Sequence, residues 1–145
     1  MDDAWIPVRA GLEDELARLG AGDALVVSEP DPPGDSSARK GGLLGRLRSR
    51  PATSVRYVQF RRLDDVRIAA ECVGHAYREI TAEQDARLIQ LGWSPPQGLY
   101  EYQSDNFVRL FPAADAARAA QVGVEALGVL GGDAATAWTW ERISD

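Results

Sequence analysis

Cys72 and His75 stand three residues apart in the stretch AECVGHAY (Ala70–Tyr77), and the chain holds no other cysteine or histidine. A thiol and an imidazole at that spacing suit two chemistries, metal ligation and a Cys–His nucleophile. Zinc takes about four protein ligands, and no second pair exists to complete the set. A Cys–His nucleophile needs a third group to orient the imidazole and donors for an oxyanion. Neither is legible. Cys72 therefore reads as a core residue and His75 as the end of a strand. A lone histidine also removes most acid–base schemes at neutral pH. An enzyme of an unfamiliar kind would need a deep polar pocket around Cys72, His75 and Glu79.

Other chemistry-bearing types give less. Gly41–Arg46 (GGLLGR) is glycine-rich but lacks the G-x-x-x-x-G-K-[ST] order that cradles phosphate. The acids are scattered, with no carboxylate pair spaced for glycoside or metal work. Arg39, Lys40, Arg46, Arg48 and Arg50 surround Leu43, Leu44 and Leu47, a small basic and apolar patch. It reads first as a solvated linker, and otherwise as a contact for acidic lipid, nucleic acid or an acidic partner. With three glycines and only three leucines it makes a poor membrane helix. Four tryptophans are many for this length. Trp93 suits a helix C-cap. Trp138 and Trp140, at i and i+2, share one face of a strand, where they anchor a peptide or a dimer seam or else pack inside the domain.

The whole chain, 145 residues with 45% hydrophobic and 26% charged, is long enough for one domain with a real core. Its net charge of −6 argues against nonspecific nucleic-acid binding. The charge is uneven: nine of the 16 basic residues lie between Arg39 and Arg67. One cysteine excludes an intrachain disulfide. The acidic start MDDAWIP does not read as a signal peptide, and no stretch approaches the roughly 20 apolar residues of a membrane span. The expected compartment is the cytoplasm, and no cofactor is expected.

The positioning elements follow from periodicity. Leu12, Leu16 and Leu19 mark an amphipathic helix over about residues 9–19. Ala24–Val27 is a short buried strand. Residues 29–54, with four prolines and four glycines, read as a flexible loop. Val55–Arg62 and Val66–Val73 form a hairpin through the three-residue turn Leu63-Asp64-Asp65. That register sets Phe60 near Ile68 and Val58 near Ala70 on one face. Thr81 caps a helix with Gln84 completing a capping box; Gly92 ends it and Trp93 folds back on Leu88. Gly98–Asp105 is a strand or a loop, Asn106–Phe111 a strand, Ala113–Leu130 the longest helix, and Ala137–Arg142 an edge strand or docked tail. Hairpin-joined strands with helices between groups give an α+β fold, an antiparallel β-sheet with flanking helices on one face, in α-β-β-β-α-β-β-α order.

The segments YVQF (Tyr57–Phe60), AECVGHAY (Ala70–Tyr77), LIQLGWSPP (Leu88–Pro96) and NFVRLFP (Asn106–Pro112), with the closing helix Asp115–Leu130, carry a resemblance over about residues 50–131. They resemble actinobacterial domains of the type III secretion chaperone-like, YbjN-type group. The resemblance implies an antiparallel sheet with flanking helices, frequent dimerisation, peptide or unfolded-protein clients, and no catalytic residues. The insert at 29–54 departs from it.

Together these readings predict a single cytoplasmic domain over residues 1–145, a noncatalytic chaperone-like module that binds a protein or peptide client. Candidate client contacts are Phe60, Ile68, Trp138 and Trp140. The alternative is a regulatory module docking an acidic partner or anionic membrane through its Arg-rich loop.

Overall fold

A computed structural model describes residues 3–30, 55–75, 77–99 and 101–144. A 3-10 turn, Asp3–Trp5, leads into α1 (Ile6–Ala17), with Pro7 in the first turn, where a missing N–H breaks no helical bond. Strand β1 (Ala24–Ser28) follows, then β2 (Tyr57–Arg62), β3 (Arg67–Cys72), α2 (Ala82–Gln90), β4 (Phe107–Pro112), α3 (Ala116–Val129) and β5 (Thr139–Ile143). The five strands form one sheet in the order β4-β3-β2-β1-β5, every neighbour antiparallel.

The α+β class is as expected, while the element order differs at its end. The described part of residues 98–105 forms no strand, and the fifth strand is the aromatic tail, which crosses to pair with β1. Ser94 makes an isolated bridge to Val108 instead. The anticipated loop at 29–54 is the connection between the neighbouring strands β1 and β2; its residues 31–54, including the basic group Arg39, Lys40, Arg46, Arg48 and Arg50, lie outside the described residues. Its two ends are clasped. Glu29 accepts from the Arg56 backbone N–H (2.7 Å) and from the Arg56 guanidinium (2.8 Å).

The β2–β3 hairpin has a three-residue turn, placed one residue later than expected, at Asp64-Asp65-Val66. The Leu63 N–H donates to Arg67 O (3.0 Å), and the Asp64 carboxylate accepts from the backbone N–H groups of Val66 and Arg67 (both 2.9 Å). Moving a turn by one residue shifts the register by two, so Phe60 faces Ala70 and Arg62 faces Ile68. A shift of two keeps every side chain on its expected face.

Helix α2 is set by local chemistry. Thr81 Oγ1 accepts from the Gln84 N–H (3.1 Å) and Gln84 Oε1 from the Thr81 N–H (3.0 Å). Gly92 closes the helix at φ +98°, in the left-handed region that favours glycine. The Trp93 N–H then returns to Leu88 O (3.1 Å) and the Gly92 N–H to Ile89 O (3.0 Å), a Schellman end.

The three helices among the described residues cover one face of the sheet. Leu25, Val27, Val58, Phe60, Ile68 and Cys72 line that face and are buried. Gly123 lets α3 approach, since a Cβ there would lie 2.7 Å from Phe60 Cζ and 3.4 Å from Leu12 Cδ2. The opposite face presents Val26, Ser28, Tyr57, Gln59, Ala69, Glu71 and Val108, also buried.

Candidate functional site

The residues first read for chemistry do not converge. Cys72 is buried on the helix-covered face, and burial pushes its thiol well above the ordinary range, with the Glu71 charge adding to it. A thiol held protonated is a poor nucleophile and metal ligand. His75 is exposed and sits 2.8 Å from Asp85 of α2. Glu79 lines a different depression, with Arg56, Arg78 and Thr81. Among the described residues no group of three His, Cys, Asp or Glu side chains could hold a metal ion, and no helix is long and apolar enough to cross a membrane.

The four proposed client contacts fall into two classes. Phe60 and Ile68 are completely buried beneath the helices. As contacts for a client they are corrected: alternation put them on an apolar face, and that face is the core. Trp138 is 9% exposed, its ring tilted against Trp5 with centres 5.9 Å apart and packed by Gly132. Trp140 is 40% exposed, its ring edge against Gly11 of α1.

Trp140 lies on one of the two sheet edges, and the edges differ. On β4, Val108 exchanges both backbone hydrogen bonds with Ser94 (2.8 and 3.0 Å), Pro112 has no N–H, and Pro112 O accepts from Asp115. Only Leu110 is left with outward donor and acceptor groups. A bridge and a proline blunt an edge against further pairing. On β5 the direction of each backbone group follows from the ladder. Glu29 and Asp23 bond toward β2, through Arg56 O and the Arg62 N–H, so Ala24, Val26 and Ser28 face β5. Their partners Ile143, Glu141 and Thr139 face inward. The N–H and C=O groups of Trp140 and Arg142 therefore point away from the sheet, and none of the four has a partner among the described residues. Arg142 reaches back to Glu15 of α1 (2.7 Å), and Thr139 and Ser28 share a hydroxyl contact of 2.9 Å that fixes the strand's start.

On the face away from the helices, at the β3 and β4 side of the sheet, lies a polar group the sequence reading passed over. Glu71, 7% exposed, accepts from Tyr102 Oη (2.7 Å), Ser104 Oγ (2.5 Å) and Asn106 Nδ2 (3.1 Å), with Gln59 Nε2 at 3.5 Å. Asn106 Oδ1 in turn accepts from Tyr57 Oη (2.9 Å) and the Gly74 N–H (3.1 Å). The available signal was Glu71 itself, a carboxylate inside the apolar run Ile68–Val73. The Glu71 carboxylate, Asn106 Oδ1 and the hydroxyls of Tyr57, Tyr102 and Ser104 are all engaged with one another or with the backbone, so the cluster fastens residues 102–106 to the sheet.

Tyr57 gives this cluster a pH signature. Burial is the largest cause pushing its phenol far above the usual value, and the Glu71 charge reinforces it. The unfolded chain ionises Tyr near pH 10, whereas the folded chain keeps the proton. Stability from this group is thus complete below about pH 10 and falls as pH rises, by roughly 1.4 kcal/mol per pH unit. Tyr102 and Cys72 are also raised, each chiefly by burial, so the unfolding free energy from urea titrations should fall at least this steeply across that range, and Tyr57→Phe should lessen the slope by about 1.4 kcal/mol per pH unit.

No curated protein and no solved structure matches the chain. A family model does. The model of T3SS (YopN, CesT) and YbjN peptide-binding chaperone 3, TY-Chap3, matches residues 1–137, taking in α1 through α3 and ending just before β5, and the chain belongs to that family.

Proposed function

We propose that this chain is a single-domain, noncatalytic, cytoplasmic peptide holder, which takes an extended client segment as a further strand along the outer edge of β5. The observation that carries the reading is the pair of outward-facing residues Trp140 and Arg142, on an edge with no proline and, among the described residues, no bridge. A peptide strand pairs its backbone with such an edge and places alternate side chains on the two faces. One row of those side chains runs beside Trp140 and Gly11; the other runs beside Thr139, Glu141 and Ile143. Each backbone hydrogen bond contributes about 0.5–1.5 kcal/mol net, and the half-exposed indole adds apolar area to bury. Holding requires no group to change protonation or bonding.

Proline scanning of β5 tests this. Arg142→Pro removes an outward N–H and leaves the ladder to β1 intact; Glu141→Pro removes an inward one and detaches the strand. With acetyl-Val-Thr-Val-Thr-Val-amide as probe, the amide signals of Trp140 and Arg142 are expected to shift in the unaltered chain. Arg142→Pro should weaken binding about tenfold, roughly 1.4 kcal/mol; because it also removes the exposed Arg142–Glu15 ion pair, Arg142→Ala, which removes the pair and keeps the N–H, is the control and should bind as the unaltered chain does. Binding unchanged by Arg142→Pro would rule out this edge. A dimer in light scattering that Arg142→Pro converts to monomer would show a second copy of the chain holding the edge instead.

A further inference from the structure

We infer that the groove between α2 and α3 is a second contact site for the client, which receives one large apolar side chain together with the peptide unit beside it. The inference rests on the chain being a peptide binder and is independent of the β5 edge. The groove has a volume of about 240 Å³ and a floor of Trp5, Leu91, Val124 and Val129. Cofactor and drug-sized sites run to roughly 300–1,000 Å³; this one suits a single leucine- or phenylalanine-sized group. Its polar fittings are specific. Trp5 is 7% exposed, and its indole N–H has no hydrogen-bond partner among the described residues. The nitrogen faces Gly128, 3.9 Å from where a Cβ would stand. Trp93 and Trp138 also have unpartnered indole nitrogens, but theirs are sealed inside the protein. A buried donor that opens on a groove gains more from an acceptor than one in water does.

The rim supplies the rest of the complement. Arg87 stands on the α2 wall and Glu125 on the α3 wall. Glu125 makes no hydrogen bond or ion pair among the described residues, and Arg87 reaches only Gln90, at 3.4 Å. Two donors and one acceptor around an apolar floor match a peptide unit: its C=O accepts from Trp5 and Arg87, and its N–H donates to Glu125. A simple anion would be repelled by Glu125, and a simple cation by Arg87. The side chain leaving that peptide unit fills the floor.

The test follows the Trp5 indole N–H resonance, assigned through its loss in Trp5→Phe, while N-acetyl-leucine amide is titrated into the full chain. The expected result is a saturable shift that N-acetyl-glycine amide does not produce, since the glycine probe has no side chain for the floor. Gly128→Leu fills the groove from a helical position that favours leucine over glycine, and should abolish the shift without lowering the melting temperature. Glu125→Lys, on the rim, should weaken it, and serves if Gly128→Leu fails to fold. No shift, an equal shift with the glycine probe, or a shift undiminished in the variants overturns the inference. The amides of Trp140 and Arg142 report strand addition separately, so failure of the groove and failure of the edge are read from different signals.

Discussion

Phe60→Ala is expected to cost about 3–5 kcal/mol of unfolding free energy, against a total of about 5–15 kcal/mol for a domain of ordinary stability. Phe60 is completely buried at the centre of β2, and its ring reaches across to the helices so closely that Gly123 has no room for a methyl group. Removing the ring takes away its transfer free energy and leaves a cavity bounded by α1, α3 and the sheet. The contact is specific enough to be tested in pairs. Gly123→Ala alone should cost about 1–3 kcal/mol through overpacking, because the nearest neighbour is the tip of a ring held on all sides. Phe60→Leu shortens that tip. The double variant should therefore be more stable than the two single costs predict, by about 0.5–3 kcal/mol. Urea midpoints at unchanged slope measure all four chains. Additive costs would mean that the ring does not rest on Gly123.

The sequence exposed this packing only in part. Wherever structure is set within a few residues, the reading and the fold agree. Thr81 with Gln84, and Gly92 with Trp93, bracket α2 because capping and the left-handed turn are local. The faces of the hairpin were also legible, since alternation has period two. Its register was not. Whether the turn begins at Leu63 or Asp64 depends on whether the Asp64 carboxylate engages the N–H groups ahead of it, a choice several spacings allow. Trp138 and Trp140 were indistinguishable by pattern, and their different fates come from α1. Trp5 at its start packs against the first at a tilt, and Gly11 gives the second a flat surface at the rim. The pairing of β5 with β1 joins residues more than a hundred positions apart. No local signal specifies it. Residues 98–105 looked partly like a strand because Tyr100 and Tyr102 alternate; the phenol of Tyr102 instead goes to Glu71.

That last contact sets the second large expectation. Glu71→Ala should cost about 3 kcal/mol, because an ionised carboxylate is all acceptor and its removal strands the buried donors around it, each worth about 1–3 kcal/mol when left unmet. Tyr102, Ser104 and Asn106 all lose their acceptor at once. The loop can recover part of the loss by turning toward water. Glu71→Gln keeps the shape, but its amide N–H group opposes Tyr102, Ser104 or Asn106. The Ser104 hydroxyl can rotate to accept, so about half the cost is expected to remain. The two large effects are separable by where they appear. Losing Phe60 weakens the whole core and lowers amide exchange protection throughout the sheet. Losing Glu71 should first release residues 101–106, together with the Gly74 N–H held by Asn106 Oδ1, because local opening precedes global unfolding where few apolar contacts resist it. Hydrogen exchange on Glu71→Ala decides the point. Protection lost in that segment while β1 and β5 keep theirs assigns Glu71 to fastening the loop. A uniform loss across the sheet would make the carboxylate part of the core's own stability, and unchanged protection would mean that Asn106 and Tyr57 hold the segment without it.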